Sequence, residues 1–231
     1  MRFARMLKHN KFTLVVSLPA NSIEQAKAAL EGGAQAIKVH ANVFHRASGH
    51  KFGSLTENRD FLKELVAMCG QVPAGLVPGG ADSFVSAAER DEMEALGIDF
   101  FSVYADHMPC YMMESAHLCK MVAIDSNYDQ NTLAGINHTG IDVLECSIQP
   151  GEAYGQKLRF SDMISYAGIA AKAKMPTLVP TQKCISPGDV RHLYEAGCKA
   201  IMIGAVVMGS EPSADEVRRT TASFAEAIRA L

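Results

Sequence analysis

The sequence contains no run of basic residues longer than the pair Arg218 and Arg219. Its 22 Lys and Arg residues are outweighed by 25 Asp and Glu residues, which gives a formal net charge of -3. A protein that binds nucleic acid needs a basic stripe to neutralise phosphates, so we expect no nucleic-acid partner. The sequence also lacks any stretch of the roughly 18 apolar residues that a membrane-spanning helix requires, so we expect no membrane partner.

Paired cysteines are missing as well. None of the six cysteines forms a CxxC motif, and four of them lie among apolar residues, which is typical of reduced, buried thiols. The basic first ten residues are followed by only one short apolar run, at residues 12–18, and by no small-residue cleavage site. These features together predict a cytoplasmic protein.

The histidines do not show the spacing of a metal site. No HxH, HxxxH or HExxH pattern is present, and His45, His50 and His107 fall in presumed loops, where a surface position is the simplest interpretation. We therefore predict no metal ligand and no cofactor, while a requirement for a divalent ion stays open.

What the sequence does contain is a regular alternation of short apolar runs and longer amphipathic segments. This alternation is typical of a parallel sheet with crossover helices. Eight strands are predicted, at residues 13–18, 36–40, 74–77, 100–104, 121–124, 143–147, 177–181 and 200–203. Helices are predicted between and after them, at residues 22–31, 57–69, 83–96, 111–117, 129–138, 160–173, 187–195 and 214–230.

A weak repeat supports this division of the chain. Four helices end at a glycine that shortly precedes an apolar strand, within segments 31–34, 95–98, 138–141 and 195–198. Glycine suits a helix end because it adopts a left-handed conformation without a Cβ clash. The turn after the first strand, residues 17–22, has no glycine, unlike an open dinucleotide-binding sheet. The sequence therefore predicts one (β/α)₈ TIM barrel over residues 1–231.

Strand alternation selects candidate catalytic residues. Side chains that face the interior near the carboxyl end of a barrel strand form the site, whereas outward ones are apolar. This assigns five ionisable residues to the barrel mouth: Lys38, His40, Asp106, Asp125 and Glu145. Such a concentration is costly inside a packed barrel and so favours function, although each residue alone is also compatible with an ion-paired layer of the barrel interior.

The segment at residues 179–209 carries a family resemblance. Its runs Lys183-Cys-Ile-Ser-Pro-Gly-Asp189 and Ile203-Gly-Ala-Val206 resemble the ends of strands seven and eight in the ribulose-phosphate-binding barrels. The loop at residues 148–157 is similar to the phosphate loop of the ribulose-phosphate 3-epimerases, with one residue inserted. The resemblance implies a phosphate site in which backbone N–H groups hold the anion. The candidates are Gly151, Gly155, Gln156, Lys183, Ser186, Gly204 and Ala205.

The catalytic motifs of the similar families are not matched. The epimerases carry metal-binding His-x-Asp on strand two, where this chain has Lys38-Val-His40, and an aspartate on strand seven near Gln182. The N-acetylmannosamine-6-phosphate epimerases have a lysine on strand three that is missing here. In the orotidine-monophosphate decarboxylase group strand two carries Asp-x-Lys, of which only Lys38 is present.

Three functions remain open at this point. The first is an isomerase or epimerase of a small phosphorylated sugar or related metabolite, in which Lys38 and Glu145 or Asp125 are an acid–base pair next to a carbonyl. The second is a lyase that uses Lys38 as a Schiff-base nucleophile. The third is a barrel that binds a phosphorylated ligand without turnover. A homo-oligomer is compatible with all three.

Overall fold

The computed structural model describes residues 1–231, and its main feature is a closed barrel of eight parallel strands arranged in chain order. The strands are β1 (Thr13–Ser17), β2 (Ala36–His40), β3 (Ala74–Val77), β4 (Phe100–Tyr104), β5 (Cys119–Ile124), β6 (Val143–Cys146), β7 (Thr177–Pro180) and β8 (Ala200–Ile203). Strand β1 pairs with both β8 and β2, which closes the sheet. The predicted (β/α)₈ barrel is therefore confirmed.

Nine α-helices accompany the strands. They are α1 (Arg2–His9), α2 (Ile23–Glu31), α3 (Leu55–Cys69), α4 (Ala87–Leu96), α5 (Gln130–Ile136), α6 (Phe160–Lys172), α7 (Val190–Glu195), α8 (Ala205–Met208) and α9 (Ala214–Arg229). No helix is long and apolar enough to cross a membrane. Helices α1 and α8 and a small antiparallel hairpin, Val43–His45 with His50–Phe52, are additions to the predicted elements.

The helix predicted at residues 111–117 is wrong. The connection from β4 to β5 consists of two 3₁₀ turns, Ala105–His107 and Cys110–Glu114. The second turn ends at Ser115, whose backbone is extended with a ψ of 129° and whose Oγ accepts a hydrogen bond from the Leu118 N–H at 2.9 Å, so the chain leaves the helical path before β5. The Arg90 guanidinium of α4 donates to the carbonyl of Tyr111, so side-chain bonds hold this connection where a helix would otherwise pack.

The helix ends follow local sequence signals. Capping boxes, in which a serine and a glutamate satisfy each other's backbone N–H groups, begin α3 at Ser54, α4 at Ser86 and α9 at Ser213. The four predicted αβ turns all contain a glycine with positive φ: Gly33 at 97°, Gly97 at 89°, Gly140 at 77° and Gly197 at 90°. The repeat in the sequence therefore marks a real, recurring turn.

Apolar side chains fill the lower half of the barrel interior. Helix α1 closes its amino-terminal end, where the ring of Phe3 stacks on that of Phe100 with centroids 4.1 Å apart. Leu7 is fully buried beside them, and Gly75 leaves the space that the Phe100 ring occupies. This packed lower half forces any ligand site to the opposite, carboxyl end of the strands.

Polar and small side chains occupy the upper half. In a barrel of this type the strands are tilted. A residue therefore lies at the same height as the residue two positions beyond its paired partner on the second strand along. The observed strand pairing accordingly puts one layer of four at the same height: Lys38, Ser102, Glu145 and Met202. The layer above it has only smaller side chains, from Ser17, Val77, Ala123 and Pro180. A cavity therefore remains over the Lys38 layer.

Candidate active site

The cavity at the carboxyl ends of the strands has a volume of about 510 Å³. This lies within the usual range for pockets that enclose a small organic ligand. Its floor is the layer with Lys38 and Glu145, its walls come from the ends of the strands, and the hairpin after β2 contributes Val43–His45 to its roof.

Lys38 projects from β2 into the floor of the cavity, as strand alternation predicts. Its side chain is 6% exposed, and its ammonium group has no hydrogen bond and no carboxylate within 4.0 Å. Burial lowers the pKa of the Lys38 amine from its ordinary value, and the charge of Glu145 offsets part of this effect. Burial thus enlarges the fraction of Lys38 present as a neutral amine, the form that accepts a proton or attacks a carbonyl.

Glu145 lies across the cavity from Lys38, because β2 and β6 are on opposite sides of the eight-stranded ring. One of its oxygens accepts a hydrogen bond from Ser102 Oγ at 2.6 Å and the other from Ser147 Oγ at 2.7 Å. These two bonds fix the orientation of the carboxyl group, and Glu145 as a whole is only 5% exposed. The two ionisable groups therefore meet the bottom of the cavity from opposite sides.

A neutral hydrogen-bonding network forms the wall between β4 and β7. Gln182 donates through Nε2 to Tyr154 Oη at 2.6 Å and to the Ser147 carbonyl at 3.1 Å. The hydroxyl groups of Tyr104 and Tyr154 are 3.5 Å apart, and burial raises the pKa of Tyr104 above its ordinary value. Tyr104, Tyr154 and Gln182 are not among the five predicted catalytic residues, although alternation from Leu178 through Pro180 points Gln182 inward.

His40 reaches the cavity wall, but the hairpin covers its ring. The ring lies 4.3 Å from that of His45 and 4.7 Å from that of Phe52, measured between centroids. Neither of its nitrogens has a hydrogen-bond partner. Burial, followed by the charges of His45 and Lys38, holds the pKa of His40 well below its ordinary value, so the ring is neutral at pH 7.

Asp106 and Asp125 line the outer part of the cavity rather than its floor. Asp106 is exposed in the 3₁₀ turn after β4. Asp125 is half-buried and accepts hydrogen bonds at 2.9 Å from the backbone and the side chain of Asn127. Of the five candidate catalytic residues, the structure thus places Lys38 and Glu145 at the floor, His40 in the wall and the two aspartates at the rim.

The candidate phosphate residues divide into two groups. Gly151, Gly204 and Ala205 line the cavity, whereas Gly155, Gln156, Lys183 and Ser186 do not.

Backbone hydrogen bonds between the loops after β6 and β7 explain why the loop segments of the second group do not line the cavity. The backbone N–H of Gly155 donates to the Gln182 carbonyl at 2.9 Å, and that of Cys184 donates to the Gln156 carbonyl at 2.8 Å. Because the loops after β6 and β7 bond to each other in this way, these N–H groups are not available to a ligand. Ser186 bonds instead to Asp189 at the start of the next 3₁₀ turn.

The structure contains no group of three or more His, Cys, Asp or Glu side chains arranged to hold a metal ion.

Comparison with known proteins identifies the architecture. No protein-family model matches the sequence, and no curated protein matches it. Solved structures do match. Thiamine phosphate pyrophosphorylase from Pyrococcus furiosus has 19% sequence identity and a TM-score of 0.69, with 96% of this chain and 97% of that chain covered.

Two further solved structures give the same result. The tryptophan synthase α-subunit from Pyrococcus furiosus has 14% identity and a TM-score of 0.69, with 93% of this chain and 98% of that chain covered. A native KDPGal structure has 12% identity and a TM-score of 0.65, with coverages of 96% and 97%. At these identities the likeness establishes the fold, which is the (β/α)₈ barrel described above.

Proposed function

We propose that this protein is an isomerase or epimerase that moves a proton next to a carbonyl group in a small phosphorylated sugar or related metabolite. The observation that carries the proposal is the position of Lys38 and Glu145 on opposite sides of the cavity floor, both buried and not ion-paired with each other. Epimerisation needs proton-transferring groups on both faces of one carbon, and isomerisation needs a base beside the carbon and an acid beside the carbonyl oxygen.

The two groups suit different roles. The lowered pKa of Lys38 allows its amine to accept a proton from the carbon and, once protonated, to stabilise the charge that develops on the carbonyl oxygen. Glu145, a carboxylate held by Ser102 and Ser147, accepts the proton in the opposite direction of the reaction, in which the protonated Lys38 donates one to the other face. In each direction one of the two groups gains the proton that the substrate loses, and the other gives up the proton that the substrate gains. The neutral wall of Tyr104, Tyr154 and Gln182 supplies hydrogen-bond partners for the hydroxyl groups of a sugar.

Two observations support a phosphate group in the proposed substrate, and the first is the rim of the cavity after β6 and β8. Gly151, Gly204 and Ala205 all line the cavity, in the loops after β6 and β8. The N–H of Gly204 already donates to Thr181 Oγ1 at 3.1 Å, so the backbone N–H groups of Gly151 and Ala205 are the ones proposed to bind the anion. The name of the structural neighbour thiamine phosphate pyrophosphorylase also includes a phosphate compound. Both points support a phosphorylated substrate for this chain.

Deuterium exchange tests the proposal on a panel of candidate substrates. Aldose and ketose phosphates incubated with the protein in D₂O should lose the NMR signal of the proton next to the carbonyl. We expect Lys38→Met to reduce the rate by about 100-fold or more, because an interaction with the reacting atoms is removed. The melting temperature should change little.

Lys120→Met is the matched control, because Lys120 lies on β5 and bonds to the Ser115 carbonyl outside the cavity. Its exchange rate should equal that of the wild type. If Lys38→Met melts several degrees early yet exchanges at a near-normal rate, Lys38 is a structural residue and the proposal fails.

A lyase that forms a Schiff base is the second candidate. It is favoured by the absence of any ion pair to Lys38, since a free amine condenses with a substrate carbonyl and releases water. Borohydride would reduce the resulting imine to a stable secondary amine on Lys38, which mass spectrometry detects. Trapping at Lys38 would establish the lyase, and exchange without trapping would establish the isomerase. Binding with neither would indicate a non-catalytic barrel.

A further inference from the structure

The hairpin after β2 crosses the mouth of the barrel. It starts beside β2, and the side chain of Arg46, in its turn, reaches Gly151 after β6 on the opposite side. A Cβ atom added to Gly151 would clash with Nη1 of the Arg46 guanidinium. The glycine at position 151 therefore leaves the space that the guanidinium occupies, and a side chain there would make the flexible end of Arg46 shift.

Contacts at its base hold the hairpin in this position. The rings of His45 and Phe52 both pack against the His40 ring, and His45 Nδ1 is 2.8 Å from Ser48 Oγ. Asn42, which has a positive φ of 54°, donates its backbone N–H to the Gly53 carbonyl at 2.8 Å and so closes the base. These anchoring groups are neutral, so they do not neutralise Arg46.

Arg46 is the only charged group that the hairpin presents to the cavity at neutral pH. The other hairpin residues along the cavity are Val43, Phe44, His45 and Ala47. Burial lowers the pKa of His45 to about 4, which leaves that ring uncharged at pH 7. The Arg46 guanidinium has no hydrogen bond to the protein and no carboxylate within 4.0 Å. Its planar set of N–H donors, which matches the geometry of an oxyanion, is therefore free.

We propose that Arg46 binds the phosphate group of the ligand and holds it against the rim made by Gly151, Gly204 and Ala205. The guanidinium supplies the full positive charge that this rim lacks, from a hairpin that closes over the ligand. Gly151 then serves chiefly to admit the arginine. The inference rests on the proposed function only for the identity of the anion as a phosphate ester.

Calorimetric titration with inorganic phosphate tests this role. We expect Arg46→Gln to bind phosphate at least about 10-fold more weakly than the wild type, because charge-assisted bidentate hydrogen bonds are lost. Arg5→Gln, at the opposite end of the barrel on α1, should bind phosphate as the wild type does. Equal binding by Arg46→Gln and the wild type, or no measurable binding by the wild type, would overturn the inference.

A second variant separates contact from general disturbance of the hairpin. Gly151→Ala makes the flexible guanidinium shift and should weaken phosphate binding by less than Arg46→Gln does, while Gly168→Ala, on α6 with open space around it, should not weaken it. The double variant Arg46→Gln/Gly151→Ala should bind no more weakly than Arg46→Gln alone, since both changes remove the same interaction. If the effects of the two substitutions on phosphate affinity were fully additive, the proposal that Gly151 acts through Arg46 would be wrong.

These titrations do not depend on turnover. Lys38→Met should keep its phosphate affinity even where deuterium exchange is lost, so failure of the anion site and failure of the proposed reaction are distinguishable.

Discussion

The neutral rings of His40 and His45 pack against each other between the barrel and the hairpin, tilted by 35°. Both have a pKa below the ordinary value of 6.5, and burial is the main cause in each. For His45 the charges of Lys38 and His50 act in the same direction. Protonation of either ring would place a positive charge between these buried rings, where water solvates it poorly. At neutral pH both rings are therefore uncharged, which favours their packing under the hairpin.

The titration of His45 should lower the free energy of unfolding as the pH falls. Its folded pKa of about 4 lies below the ordinary 6.5, so the unfolded chain binds more protons between these values. The contribution is fully present above pH 6.5 and is lost as the pH falls toward 4. Between pH 7.5 and pH 5 it amounts to up to about 2 kcal/mol.

Urea unfolding at these two pH values checks this prediction. The free energy of unfolding of the wild type should fall with pH by more than that of His45→Gln, which has no ring to protonate. Parallel losses in the two proteins would show that His45 does not titrate in the folded state as described.

Helix α1 has a structural role that its basic sequence hides. The Asp99 carboxylate accepts hydrogen bonds from the backbone N–H groups of Arg2 at 2.9 Å and Phe3 at 2.7 Å, and so satisfies free donors at the start of the helix. Phe3 and Leu7 then enter the bottom of the barrel beside Phe100. The helix therefore closes the amino-terminal end of the barrel and completes its core.

Phe3→Ala should destabilise the protein by about 3–5 kcal/mol, because it removes a fully buried ring and leaves a cavity against Phe100. Arg5→Ala, on the exposed face of the same helix, should change stability by less than about 0.5 kcal/mol. The midpoint of chemical unfolding measures both. A small effect of Phe3→Ala would mean that α1 is peripheral to the core.

The cysteines report on the packing of the whole molecule. Cys110 and Cys184 are exposed, whereas Cys69, Cys119, Cys146 and Cys198 are buried. Burial raises the pKa of Cys69 and of Cys198 to about 11 and raises those of the other two as well. The reactive thiolate is therefore scarce at these four positions.

A thiol reagent should accordingly label the native protein in two phases at pH 8. Cys110 and Cys184 should react within the fast phase, and the other four should react only as the barrel opens or unfolds. Peptide mapping by mass spectrometry identifies the positions. Fast labelling of Cys146 or Cys198 in native protein would indicate that the barrel wall opens locally.

Local patterns in the sequence determined the barrel and much of its floor. Period-two alternation points Lys38 and Glu145 inward whatever the rest of the chain does, and the glycines at the ends of α2 and α4 encode their turns in a few residues. The helix predicted at residues 111–117 is wrong because the chain turns at Ser115, which bonds to Glu94 on α4 and to the Leu118 N–H, and no sequence period encodes the contact with α4.

Only the tertiary structure decided which of these residues meet. The mutual pairing of the loops after β6 and β7 directs Gly155 and Gln156 away from the cavity, and the contact of Arg46 with Gly151 joins residues from opposite sides of the ring. No sequence period encodes either contact, because each depends on how the closed barrel brings distant loops together. The sequence thus determines the direction of each side chain along its own strand, while closure of the barrel determines its partners.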